Sequence, residues 1–105
     1  HGRSVLLVNE HSASATEMVA AFASEERLAP LVGVKTPGRL VGARSFKVGH
    51  GYRVALPVAA YFTWAGQNLE GVGAAPDTEC GISFEDLRAG RDPQLDFAQA
   101  IARSL

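Results

Sequence analysis

Residues 9–22, Asn9-Glu10-His11-Ser12-Ala13-Ser14-Ala15-Thr16-Glu17-Met18-Val19-Ala20-Ala21-Phe22, decide how the rest of the chain is read. The run Val5-Leu6-Leu7-Val8 just before them is short, unbroken and rich in branched side chains, the pattern of a buried strand. A cluster of small residues follows, and then a helix. Ser14 stands three residues before Glu17, the spacing of a capping box. Met18, Val19 and Phe22 continue at helical spacing. A serine between strand and helix sits where main-chain N–H groups are unpaired and can bind a developing oxyanion. On local chemistry alone a plain helix cap is the commoner fate of such a serine.

Outward from this stretch the chain alternates strands, turns and helices. Residues 4–9 predict a strand, 14–24 a helix and 31–34 a second strand, a βαβ-like unit with at least one parallel pairing. Lys35-Thr36-Pro37-Gly38 breaks the pattern. Residues 40–48 and 52–58 flank Gly49-His50-Gly51 and predict a hairpin, with Tyr52, Val54 and Leu56 on one face. Pro57 marks an edge position or a bulge. Of Tyr61, Phe62 and Trp64, at least two are expected in the core. Residues 65–77 read as a glycine-rich loop and 78–82 as a short strand. A helical turn from Ser83 leads to a last helix from Asp92-Pro93, with Leu95, Ala98, Ala102 and Leu105 as its apolar face. The fold class is α/β, with a strand–helix–strand unit, a β-hairpin and a C-terminal helix.

The 105 residues carry a net charge of −1 and are 47% hydrophobic, which suits one small domain or a piece of a larger one. No basic cluster argues for nucleic acid, and no apolar stretch reaches membrane-spanning length. Cys80 is the single cysteine, so an intrachain disulfide and a cysteine metal site are excluded, and it reads as an ordinary strand residue. No His, Asp or Glu pair has metal-ligand spacing, and no cofactor motif is present: Gly33, Lys35 and Gly38 do not form a phosphate loop. His11 is expected in a cleft or exposed, and His50 on the surface. His1-Gly2 give almost no lead-in to the first strand, which suggests a segment of a longer polypeptide with His1 a tag remnant.

Three segments in order carry a resemblance. Ser12-Ala13-Ser14-Ala15-Thr16-Glu17 after the apolar strand, Leu31-Val32-Gly33-Val34-Lys35-Thr36-Pro37-Gly38, and Leu69-Glu70-Gly71-Val72-Gly73-Ala74-Ala75-Pro76-Asp77 resemble the C-terminal processing (tail-specific) serine proteases and their tricorn-like relatives. The resemblance covers about residues 4–80. It implies a ClpP/crotonase-like core fragment, the C-terminal part of a serine peptidase catalytic domain over residues 1–105. It also implies Ser14 as nucleophile, Ala15 N–H as an oxyanion-hole donor and Glu70 as an auxiliary carboxylate acting on peptide or unfolded protein substrates. Processing proteases place a general-base lysine where Arg39 stands, 25 positions after Ser14. A guanidinium keeps its proton in proteins and cannot serve. The resemblance therefore points to the tricorn-like branch, whose histidine base lies upstream, and predicts that the piece alone is inactive. A non-catalytic binding protein on the same fold stays open, as does, more weakly, a crotonase-type acyl-transfer enzyme. Apolar surface left by missing core neighbours would favour a homodimer.

Overall fold

In the computed structural model, which describes residues 3–105, the strand-turn-helix start of the chain is present. β1 (Leu6–Val8) leads through a turn to α1 (Ala15–Glu25), and β2 (Leu31–Gly33) returns parallel to β1, Leu7 opposite Val32. His1 and its reading as a tag remnant lie outside the described residues. β3 (Gly42–Gly49) and β4 (Tyr52–Ala59) form an antiparallel hairpin. β5 (Thr78–Glu79) then pairs parallel with β2, giving a three-stranded sheet in the order β1-β2-β5. α2 (Phe84–Arg88) and α3 (Pro93–Ser104) complete the chain, α3 lying against β1 and β2.

The central strand explains the unbroken apolar reading of residues 31–33: all three are buried, as a strand with neighbours on both edges requires. The α1 face turned inward is not the one expected. Ala20, Ala21 and Ala23 join Val8, Leu31, Leu40, Leu69 and Ala74 in the core, while Val19 and Phe22 are exposed. These buried positions are alanines, which carry the least helix cost. On α3 the buried positions are Gln94 and Ala98, whereas Leu95 and Leu105 are exposed. Gln94 is drawn in by a hydrogen bond from its Nε2 to the Cys80 carbonyl, 2.6 Å. The Asp92 carboxylate accepts the Leu95 N–H and starts the helix at Pro93.

Pro57 sits beside an irregularity, as its residue type predicts. Ala43 pairs with Pro57 and Gly42 with Ala59, so Val58 is skipped. The alternation in β4 does not translate into burial. Only Val54 is half-buried, and Tyr52 and Leu56 are exposed. The aromatic expectation is also corrected: Tyr61, Phe62 and Trp64 are all exposed, because residues 62–68 turn outward in a tight hairpin of their own.

Candidate active site

The strand-to-helix connection is built from local hydrogen bonds. Asn9 Oδ1 accepts the His11 N–H at 2.9 Å, and Ser12 Oγ accepts the Asn9 N–H at 3.0 Å. The chain then reaches Ser14 with φ +60° and ψ −124°. A non-glycine residue pays about 1–3 kcal/mol in such a region, and a strained strand-to-helix turn is a known way to present a nucleophile. The Ser14 side chain is exposed and makes no cap hydrogen bond. The Glu17 N–H, which a capping hydroxyl would take, donates to the Ser14 carbonyl at 2.9 Å, so the hydroxyl's half of the box is proximity rather than a bond. The Ala15 N–H, first of the helix, has no acceptor among the described residues.

What holds the strained turn is Glu17. The sequence reading assigned it only to the capping box, yet its side chain is fully buried and is the polar hub of the molecule. Oε2 accepts the N–H groups of Ser14 (3.0 Å) and Arg39 (2.8 Å). Oε1 accepts the Thr36 hydroxyl and the Gly38 N–H (2.7 Å). Burial pushes the Glu17 carboxyl up, but the hydroxyl of Thr36 and the N–H groups of Arg39, Gly38 and Ser14 outweigh it and hold the group below its ordinary value. The shared Oε2 keeps the main-chain nitrogens of Ser14 and Arg39 within about 6 Å. Position 39 is thus beside the serine, and the Arg39 side chain there is exposed.

Thr36 passes the connection on. Its Oγ1 accepts the Ala74 N–H at 2.7 Å, and its own N–H donates to the Ala74 carbonyl at 3.0 Å. Gly73 is needed at this crossing: with φ +77°, an added Cβ would lie 1.9 Å from the Thr36 carbonyl oxygen. Glu70 reaches the same segment. Its Oε2 accepts the Leu40 N–H at 2.5 Å, so three consecutive N–H groups, of Gly38, Arg39 and Leu40, end on two carboxylates. Glu70 has no hydrogen bond to Ser14; the two meet through the 38–40 backbone.

The remaining candidates stand apart. His11 is exposed with its Nε2 3.7 Å from Glu10, and no hydrogen bond links it to Ser14. His50 is at the exposed hairpin tip with φ +49°. Lys35 is exposed. Glu17 was legible in part: it is a carboxylate on a helix face otherwise made of alanines, a pattern that calls for buried donors.

The Ser14 turn, the buried Glu17 carboxylate and the 36–40 and 69–74 segments are joined in one hydrogen-bond network. Residues 1–80 match the family model described as Peptidase family S41. The chain belongs to this family. It is 36% identical over 103 residues to Tricorn protease homolog 1 of Streptomyces coelicolor, covering 96% of this chain and 10% of that protein. It is 33% identical over 97 residues to the Carboxyl-terminal-processing protease of a Synechocystis species, covering 90% of this chain and 23% of that protein. The solved structure of the tricorn protease superposes with a TM-score of 0.89 at 28% identity, over 98% of this chain and 10% of that one. The chain thus spans between a tenth and a quarter of the length of these relatives. The mixed α/β fold and the resemblance read from the three motifs both agree with these matches.

Proposed function

We propose that the chain is the C-terminal segment of a serine peptidase catalytic domain, a core fragment of ClpP/crotonase-like type, with Ser14 as the nucleophile. One observation carries this reading: the exposed Ser14 makes no capping bond with its hydroxyl and sits on a strained turn, next in the chain to the unpaired Ala15 N–H at the helix start. Ser14 Oγ attacks a peptide carbonyl carbon, its proton passes to a base, and the carbonyl oxygen takes up negative charge against the Ala15 N–H. The base then protonates the leaving amine, and water releases the acyl group from Ser14. Arg39 cannot be that base, and neither described histidine is bonded to Ser14, which supports a base supplied by the upstream half of the domain in the longer protein. Glu70 braces the 38–40 segment beside the nucleophile. The substrates are peptides or unfolded proteins, and the chemistry calls for no cofactor.

The test is to label the longer protein with a fluorophosphonate and follow cleavage of an unstructured peptide. Wild type should label at Ser14, Ser14→Ala should lose both label and turnover by at least about 10³-fold, and the isolated 105 residues should not turn over peptide. Full activity in Ser14→Ala, or turnover by the isolated chain, overturns the respective part. Arg39 standing where processing proteases carry a lysine favours a second reading, a binding protein on the same fold. A correctly folded longer protein that stays unlabelled supports it.

A further inference from the structure

Two helices of this chain begin with the same local pattern, a serine followed three residues later by a carboxylate. At α2 the pattern folds in the ordinary way. Ser83 is extended, with φ −80° and ψ 160°. Its Oγ accepts the Asp86 N–H at 3.1 Å, and Asp86 Oδ2 accepts the Ser83 N–H at 3.2 Å. At α1 only the second of these bonds is made. Glu17 Oε2 accepts the Ser14 N–H at 3.0 Å, while the Ser14 hydroxyl caps nothing and its φ is +60°. Glutamate is the usual acid of such a box, so the longer side chain is not the cause. The two acids differ in what else they hold. Asp86 takes its hydrogen bonds from Ser83 and Arg91, within five residues, and is free to follow its serine. Glu17 is fixed by donors 19 to 22 positions away, the Thr36 hydroxyl and the Gly38 and Arg39 N–H groups, so here the serine backbone follows the acid.

The 36–39 segment is in turn clamped by the 69–74 loop. The Gly71 N–H donates to the Gly38 carbonyl at 2.8 Å, and Thr36 exchanges hydrogen bonds with Ala74. We propose that the 36–39 segment is a latch on Ser14. Docked on Glu17, it holds the serine at positive φ with its hydroxyl free. Released, it lets Ser14 fall back to a cap like that of Ser83, in which the hydroxyl accepts the Glu17 N–H and is withdrawn from a substrate. Glu17 is the positioning residue through which the latch acts. The capped form is favoured locally, because it removes a positive φ from a non-glycine residue and gives the hydroxyl a partner. Docking offsets this with three charge-assisted hydrogen bonds to a buried carboxylate. That the displaced serine is a nucleophile rests on the peptidase reading above; the backbone switch does not.

Glutamine also closes a capping box, but its amide nitrogen cannot accept the donors that a second carboxylate oxygen takes. Glu17→Gln therefore loosens the latch and leaves the cap available. Crystal structures of the longer protein read the backbone directly. Wild-type Ser14 should keep its positive φ. In Glu17→Gln it should move to a φ near the −80° of Ser83, with Oγ in hydrogen-bond distance of the residue 17 N–H. Peptide turnover should fall about tenfold in kcat with KM unchanged, because only the presented fraction reacts. A purely stabilising role would lower the urea midpoint and move neither φ nor kcat. Ser14 at positive φ in folded Glu17→Gln overturns the latch, whatever the activity. Where that variant does not fold, Thr36→Val decides: it removes one latch donor, and kcat should fall about threefold at constant KM. An unchanged kcat there overturns the proposal. Fluorophosphonate labelling of wild type is read separately. A cap that forms in Glu17→Gln of a protein that never labels leaves the latch and removes the nucleophile. Labelling with Ser14 unmoved in Glu17→Gln leaves the nucleophile and removes the latch.

Discussion

Around Glu17, three stretches far apart in sequence are fastened by a handful of hydrogen bonds; in the β3–β4 hairpin, eighteen residues fold mainly onto each other. The first region buries a charge and satisfies it four times. The second leaves Phe46, Val48, Tyr52, Leu56 and Val58 exposed. The difference appears in the overall dimensions as well. The radius of gyration is 17.0 Å, against about 13 Å for a compact domain of this length. Stability is therefore concentrated around the Ser14 turn and Glu17, and the hairpin contributes a surface rather than a core. Substitutions in the two regions should differ accordingly.

The largest contrast is expected at Glu17 itself. Glu17→Ala strands the Thr36 hydroxyl and the Gly38 N–H in a buried space, leaves the part-buried Ser14 and Arg39 N–H groups without their acceptor, and should cost about 3–5 kcal/mol, read as a shift in the urea midpoint. The same bonds set a pH dependence. The folded-state pKa lies below the ordinary value of 4.5, so between the two values the unfolded chain binds more protons than the folded one. The stabilisation is complete above pH 4.5 and is lost as the pH falls below it, through the folded-state pKa. Glu17→Gln should flatten that acid limb. An acid limb equally steep in both proteins would show that other carboxylates set it.

Glycines sharpen the comparison. Gly73→Ala places a methyl group against the Thr36 carbonyl oxygen in a left-handed backbone conformation and should cost about 3 kcal/mol. Gly51→Ala at the hairpin tip has the same sign of φ, +80°, but nothing within 4 Å of the new carbon. It should cost about 1 kcal/mol, the backbone penalty alone. Thermal midpoints of the two variants side by side separate steric conflict from conformational preference; equal losses would mean that the 73–36 crossing can relax.

The same division decides what the sequence revealed. The βαβ unit, the hairpin with its glycine tip and the last helix were legible because strand runs, turn residues and the Asp92-Pro93 start are local signals. The inward faces of α1 and α3 were not. Periodicity marks an apolar stripe, but alanines and a hydrogen-bonded Gln94 displaced Val19, Phe22 and Leu95 from the core. The exposure of Tyr61, Phe62 and Trp64 had no local signal either, since it follows from a turn closed by Thr63 and Gln67. Ser14 and Ala15 lie at the strand-to-helix turn that the local pattern predicted, and Glu70 in the glycine-rich loop of its motif. Glu17 looked like half of a capping box because its other three donors lie 19 to 22 positions away.

The smallest stability effect is expected in the hairpin, where a different quantity should move. Phe46→Ser and Val58→Ser remove exposed side chains and should change the unfolding free energy by no more than about 0.5 kcal/mol each. A two-stranded ribbon with apolar groups on view, and with free N–H and C=O groups along both edges, is a template for association. If the hairpin joins two copies of the chain, gel filtration over a concentration series should show wild type moving to a larger apparent size. The double variant should stay monomeric over the same range. A wild type that remains monomeric throughout removes the homodimer, while a double variant that still associates moves the contact to another surface. In either case the Glu17 region should be unaffected, because no hydrogen bond of that cluster involves residues 42–59.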